Sequence, residues 1–427
     1  MQIRSTSFSF TLLLGFLAAV PYSGIDINLP ALAATGASLG ASSSDAGLTM
    51  SAFMFSLAAA PLLYGPVSDR FGRKPVIVFG VALFVVASLA CAVAQSLPAL
   101  LICRFVQGIG AASTAMTFAI IRDLFGETAA RAKIANVVIA INVVTIIAPT
   151  AGAALLTLGS WRLIYAIQAA IGCVLLLLAV LLGFTESATI NPVNRLAPAA
   201  VARSYLRVLT HPLSFAYILV GAAGGAAVFA YVTGSSLFFI GVAGLTPDQY
   251  GLIFSACSAA VMSGAFLDGR LGRHGISPAH VLTIGLALLA AAACLLLTLT
   301  LVGWTPSALV AALLMAVALA FGMSMPNILN ATMRPLPEIA GAVGAAAQSI
   351  QMTAGAASSG LVAVLFDGRS ALSMAAVMAA FSLLALIAYW VLARPAERRT
   401  TFAVASERIP IDRRPASLER LSSGGTL

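Results

Sequence analysis

The sequence predicts an all-α membrane protein: twelve transmembrane helices in two six-helix bundles, with both termini cytoplasmic. Three observations carry this reading. Hydrophobic residues make up 60% of the 427-residue chain and charged residues only 9%. A soluble domain of this length cannot hide that much apolar surface, so lipid is the solvent that fits. Apolar segments of spanning length recur along the chain, and the basic residues fall almost entirely on alternate loops between them.

A hydrocarbon core of ~30 Å is crossed by about 20 apolar residues in a helix. Six such segments lie near 8–32, 47–66, 76–94, 98–121, 133–158 and 161–184, and six more near 213–240, 249–267, 280–302, 306–332, 340–364 and 370–393. Residues 1–184 then form an N-terminal bundle and 213–393 a C-terminal bundle. The polar stretch 185–212, with Pro192 and Pro198, reads as a cytoplasmic linker, and the Arg-, Ser- and Pro-rich tail 394–427 as disordered. The first segment follows Arg4 and contains Ala-Leu-Ala at 31–33, as a signal peptide would. It is too long for one, and its end carries Asp26 and Pro30, so it reads as the first span.

With a cytoplasmic N-terminus, 20 of the 23 basic residues lie on the cytoplasmic side. Only Arg162 and Arg369 lie opposite, and Arg104 falls within a span. A miscounted span would scramble that division. The net charge of +9 is therefore explained by topological anchors, without nucleic acid. The five cysteines sit in apolar runs without CxxC spacing, and the three histidines lie in polar loops and form no metal-ligand cluster. Neither set reads as a disulfide framework or a metal site, and the spans hold no nucleophile–base constellation of an enzyme.

The chain repeats itself. Residues 65–75 read GPVSDRFGRKP and residues 264–275 read GAFLDGRLGRHG, placing Asp69 and Asp268 at equivalent points of the two halves. Gly65 and Gly72 permit close helix approach and a tight turn. Asp69 can cap a helix or pair with an arginine, while Arg70, Arg73 and Lys74 hold the loop at the membrane face. Two copies make this loop a candidate conformational latch.

These residues carry a family resemblance. GPVSDRFGRKP resembles the signature between helices two and three of the major facilitator superfamily. RFVQGIGAA (104–112) resembles the helix-four motif of drug–proton antiporters. DINLPAL (26–32), YVTGSSLFFI (231–240), LTPDQYGLIFS (245–255) and PNILNA (326–331) are similar to the bicyclomycin and chloramphenicol resistance (Bcr/CflA) branch, with Asn28 where that branch has tyrosine. The resemblance implies the major facilitator fold, whose halves are parallel repeats about an axis along the membrane normal. Exporters of the superfamily often carry G-P-x-x-G-G in helix five. Here residues 148–153 read APTAGA, keeping Pro149 and Gly152, a departure that weakens the inference of export direction.

Asp26 is the one acidic residue of fourteen inside a span, and Arg104 the one basic residue. Intramembrane charges are costly and mark function by default. Both lie about six residues, roughly 9 Å, from the outer surface. In the superfamily fold their helices both line the central cavity, so the two are expected to pair or to share a water network. Low-dielectric surroundings favour a neutral carboxyl and an adjacent guanidinium favours the anion, so a group held between them can exchange a proton. Tyr22, Asp26 and Pro30 would share one helix face, and Arg104, Gln107, Gly108 and Ala111 another. That makes Tyr22 and Gln107 cavity candidates. Tyr231, Asn327 and Gln351 are polar residues within apolar segments that match the family pattern, and each could equally hydrogen-bond a neighbouring helix. Residues 341–360, dense in Gly, Ala and Ser, read as a sliding or close-packed interface.

The expectation is a proton-coupled exporter of small drug-like molecules in the bacterial cytoplasmic (inner) membrane, a monomer driven by the proton gradient and needing no cofactor. The alternative is the same machine moving a sugar, amino acid or polyamine. A single intramembrane acid points to neutral or cationic substrates.

Overall fold

The computed structural model describes residues 8–125, 127–181 and 198–397. Those residues are helical apart from short connections, with no strand among them. The N-terminal half holds α1 (Phe8–Asp26), α2 (Leu32–Ser38), α3 (Ser43–Phe71), α4 (Arg73–Ala92), α5 (Leu97–Ala112), α6 (Met116–Leu124), α7 (Glu127–Leu158) and α8 (Trp161–Leu181). A separate helix, α9 (Pro198–Thr210), precedes the C-terminal half, which holds α10 (Pro212–Ser236), α11 (Pro247–Arg273), α12 (Pro278–Val302), α13 (Ser307–Met333), α14 (Ala340–Leu365) and α15 (Leu372–Ala388). Short 3-10 turns join α1 to α2 and α5 to α6, so each of those pairs forms one span.

Eleven of the resulting segments are long and apolar enough to cross a membrane. The twelfth, α14, has the length but not the apolarity, because Gly, Ser and Gln replace aliphatic residues along it. It needs less apolarity because it packs between α3 and α10. Large apolar side chains such as Phe55, Leu63, Phe79, Ile102 and Val364 stand exposed around the outside, as a lipid-facing surface requires. Trp304 and Trp390, also exposed, stand at opposite ends of the C-terminal half, where aromatic anchors are favoured.

Several helices outrun their apolar cores. α3 begins at Ser43, where the Ser42 hydroxyl accepts from the Asp45 N–H and the Asp45 carboxylate accepts from the Ser42 N–H. This reciprocal cap satisfies helix-end donors and adds a polar first turn to the span. α11 begins with the same device, Thr246 with Gln249. α1 stops early. Pro30 has no N–H to give the Asp26 carbonyl, and the Asn28 side chain bonds the Gly24 carbonyl at 2.9 Å. The chain therefore leaves the α-helix at Asp26, and Pro30 does not continue the face of Tyr22 and Asp26 as expected from spacing.

The linker is also more structured than its polarity implies. Within it, α9 lays Tyr205 and Val208 against Ile218, Leu336, Val343 and Ala346 of the C-terminal half. Arg207 bonds Glu338 across 2.7 Å. The expected linker residues 185–197 and the tail beyond Glu397 lie outside the described residues. Glu397 itself ends a helical continuation of the last span and bonds the Tyr217 hydroxyl at 3.2 Å.

The two halves meet along α3–α14 and α7–α11. Towards the arginine-poor end these pairs are in contact: Gly47 faces Ala363, Gly360 faces Ser51, and Gly251 faces Pro149 and Thr150. The Ser255 hydroxyl donates to the Ile146 carbonyl at 2.6 Å, and the Ser236 hydroxyl to the Leu29 carbonyl at 2.6 Å. Beyond Met54 and Gly355 the same helices diverge, with Leu57, Pro61 and Gly65 on one wall and Gly341, Gly344 and Met352 on the other. The molecule is closed at its arginine-poor end and open at its arginine-rich end.

Candidate functional site

The divergence encloses a cavity of about 650 Å³ between the halves, within the roughly 300–1,000 Å³ common for small-molecule sites. Its mouth carries Arg73, Arg122, Asp123 and Tyr205, and its depth reaches Tyr22 and Ile25 on α1. Most of the wall is apolar. Met116, Met333 and Met352 contribute flexible, polarisable surface suited to ligands of varied shape.

Asp26 lies one helical turn beyond Tyr22 and is 6% exposed. Its surroundings come from both halves. The Thr145 hydroxyl of α7 faces the carboxyl, and Tyr22, Tyr231 and Tyr250 are in electrostatic contact with it. Tyr231, Phe254, Tyr250 and Phe239 form a continuous aromatic cluster behind it. No cation bonds Asp26 among the described residues. The expected partner, Arg104, turns the other way.

Arg104 is fully buried inside the N-terminal half. It donates to the Gln107 side-chain oxygen at 2.6 Å, to the Thr49 carbonyl at 3.4 Å and to the Met50 sulfur at 3.5 Å. Its guanidinium carbon stands 4.2 Å from the Phe53 ring centre and 5.8 Å from that of Tyr165. Neutral acceptors and aromatic faces thus replace the water shell that burial removes. Gln107 passes the network on, donating to Ser88 at 2.7 Å and to Gln168 at 2.8 Å, and so ties α5 to α4 and α8. Sequence spacing put Asp26 and Arg104 at one depth, but it could not say which neighbour each helix face meets.

The cavity candidates divide accordingly. Tyr22 lines the cavity. Gln107, fully buried in the Arg104 network, does not. Tyr231 is buried in the aromatic cluster beside Asp26. Asn327 donates to Asp268 at 2.7 Å and to the Met323 carbonyl at 3.1 Å, locking α13 to the second copy of the repeat loop. Gln351 packs on Gly225 and reaches the Gly221 carbonyl at 3.5 Å, beside a small side pocket. Gln348, on the same helix, is the polar residue of α14 that the cavity exposes. It was not singled out because a helix dense in small residues gives little contrast between its faces.

In the first repeat loop Gly72 adopts φ of 98°, the left-handed region that glycine tolerates. Arg73 bonds Asp123 at 3.2 Å and the Ser68 hydroxyl at 2.5 Å, joining the start of α4 to α3 and α6. Arg70 lies over the Phe71 ring. Gly65, expected at a close helix approach, instead has nothing within 4 Å and forms cavity wall, whereas its repeat mate Gly264 is pressed on the Leu319 carbonyl. The Asp69 side chain lies outside the described residues. In the helix-five motif, Gly152 is pressed against the Ile27 carbonyl, leaving no room for a side chain. Pro149 faces Gly251 of the opposite half.

The profile of the Major Facilitator Superfamily matches residues 11–359. The chain belongs to that family. It is therefore a multi-pass membrane transporter, not an enzyme. Among curated relatives, it is 26% identical over 401 residues to a bicyclomycin resistance protein homolog of Haemophilus influenzae, covering 92% of this chain and 98% of that one. It is 29% identical over 356 residues to multidrug resistance protein D of Escherichia coli, covering 82% and 86%. Among solved structures, a POT family transporter in complex with 5-aminolevulinic acid superposes with a TM-score of 0.74 at 15% identity over 93% of this chain and 99% of that one. The E. coli xylose transporter XylE, in a partially occluded inward-open conformation, superposes with a TM-score of 0.67 at 16% identity over 90% and 98%. At these identities the structural likeness speaks to fold alone.

For a major facilitator, the division between a buried network in one half and a cavity between halves makes a prediction. Gln107→Leu removes three hydrogen-bonding connections from the fully buried Arg104 cluster. The expected cost is about 2–4 kcal/mol, because a buried charge loses its shortest partner. Thermal unfolding in detergent will show a lower midpoint, with solute affinity at the cavity unchanged. Equal losses of affinity and stability would place Gln107 at the site after all.

Proposed function

We propose that this transporter exports small drug-like molecules across the bacterial cytoplasmic membrane in exchange for protons, by alternating access. The observation that carries the reading is a cavity between the halves, open at one end, with a buried carboxyl just behind its deepest wall. The positive-inside pattern assigns the open, arginine-rich end to the cytoplasm, so the cavity would collect solute from inside the cell. Relatives named for bicyclomycin and multidrug resistance support export of antibiotic-like compounds.

Asp26 would carry the proton. Its neighbours Tyr231 and Tyr250 belong to the C-terminal half, and Thr145 and Tyr22 to the N-terminal half. Rocking of the halves about the cavity would part these groups and open the carboxyl to the outer solution. Protonation state and conformation would then be linked, because each state offers the carboxyl a different environment. Arg104 acts in this scheme as a support for α5 instead of a partner of Asp26. The Arg73–Asp123 contact and the Asp268–Asn327 contact would favour the present arrangement of each half's loop, the latch role expected from the repeat.

The test uses everted membrane vesicles energised to an acid interior. Antibiotic accumulation that follows the pH gradient, and disappears when nigericin collapses it, supports the reading. Accumulation indifferent to nigericin contradicts it.

A further inference from the structure

The last span ends in a wider winding. Residues Tyr389–Ala393, directly after α15, are π-helical, a local geometry found mostly at functional positions. The turn sends its side chains to two sides. Tyr389 is buried, with its hydroxyl donating to the Ala279 carbonyl of α12 at 3.4 Å and its ring 6.4 Å from that of Tyr217 on α10. Trp390 and Val391 are exposed, and with Ile387 and Leu384 they form an apolar ridge on the lipid-facing side of α15. Arg394 follows one turn on, its guanidinium carbon 4.1 Å from the Trp390 ring centre.

Arg394 has no acid beside it. Arg73 bonds Asp123 and Arg207 bonds Glu338, whereas the Trp390 ring is the one partner of Arg394 among the described residues. Glu397, the acid one turn further, bonds the Tyr217 hydroxyl on the buried side. An aromatic face attracts a guanidinium but takes up none of its five N–H donors. The positive-inside pattern sets this turn at the cytoplasmic leaflet, the level of lipid phosphates. A phosphodiester matches the free guanidinium by two parallel hydrogen bonds. Arg270 and Arg273 stand exposed at the end of α11, in the connection to α12 whose first turn Tyr389 touches. The local field is therefore positive and favours a headgroup of net negative charge over a zwitterion. We propose that the base of α15 binds an anionic phospholipid of the cytoplasmic leaflet, with its phosphate on Arg394, its glycerol region against Trp390 and an acyl chain along Val391, Ile387 and Leu384. Its effect reaches inwards through the same turn. Tyr389 and Glu397 tie α15 to α12 and α10, so an occupied site holds the cytoplasmic ends of three helices together. The site is separate from the cavity and does not depend on which solute is moved.

The full-length protein, delipidated in mild detergent, is offered equal amounts of phosphatidylglycerol and phosphatidylcholine with the same acyl chains. Retained lipid is counted by native mass spectrometry. Phosphatidylglycerol is expected to be retained about fivefold over phosphatidylcholine, the weight of one arginine at an anionic surface. Arg394→Ala lowers phosphatidylglycerol retention about fivefold and leaves phosphatidylcholine retention unchanged, which shows an intact fold. Arg203→Ala, at an exposed arginine of α9, removes the same charge and stays within about twofold of wild type. Phosphatidylglycerol, but not soluble glycerol phosphate, raises the thermal midpoint of the wild type, and Arg394→Ala abolishes the rise. Equal retention of the two lipids by the wild type, or an unchanged Arg394→Ala, overturns the proposal. An equal loss in Arg203→Ala would mean a diffuse basic face, and equal stabilisation by glycerol phosphate an anion site without lipid; either also overturns it.

Discussion

Gly110→Val is expected to abolish recovery of folded protein. At Gly110 a Cβ would meet the Phe84 nitrogen at 2.5 Å and the Gly80 carbonyl oxygen at 2.7 Å, both backbone atoms of α4. Gly80 is pressed in turn on Ser113, so the two helices cross glycine against glycine. Membrane helices gain their association from such close approach, since lipid offers no hydrophobic drive between them. A β-branched side chain forces α4 and α5 apart and carries the Arg104 network with it. The cost is expected above about 4 kcal/mol, beyond ordinary overpacking. Size-exclusion chromatography in mild detergent will show aggregate in place of the monodisperse peak. Gly224→Ala is the control: its added Cβ meets nothing within 4 Å, and an alanine inside a helix gains about 0.5–1 kcal/mol over glycine. A monodisperse Gly110→Val of native thermal midpoint would refute the packing account.

Asp26→Asn is expected to separate binding from driven transport. The amide keeps the size of the carboxyl and can still bond the Thr145 hydroxyl, so the fold and the cavity should persist. What it cannot do is gain and lose a proton. Uptake driven by a pH gradient should fall to the leak, roughly a hundredfold loss, as expected when the proton-carrying group of a span is removed. Solute affinity should change by less than about threefold, because Asp26 does not line the cavity. Gradient-driven uptake at the wild-type rate would remove Asp26 from the mechanism.

The parts of this molecule that were legible in its sequence are those dictated by lipid. Apolar length and the one-sided arginines were enough to place the spans, α14 included, although its Gly- and Ser-rich surface is the least apolar of the twelve. Pro30 and Asn28 held the signal for the break after Asp26, had their backbone consequences been followed. The linker helix α9 was missed because its stretch is polar on average. The spacing of Tyr205 and Val208 would have revealed its apolar face. Partner choice was the illegible part. Arg104 and Gln107 were correctly placed on one face of α5, yet only the tertiary arrangement decides that this face meets α3, α4 and α8 instead of Asp26. Likewise Asn327 and Gln351 are spent on Asp268 and on α10, leaving Gln348 to face the cavity.

The most direct test of proton coupling reverses the usual driving force. Proteoliposomes loaded with a transported solute and a luminal pH dye are diluted into solute-free buffer, so that only the solute gradient can do work. The lumen should acidify as solute leaves through the wild-type protein, and should hold its pH in Asp26→Asn while labelled solute still exchanges. Solute efflux at constant luminal pH in the wild type, or acidification undiminished in Asp26→Asn, would contradict the account.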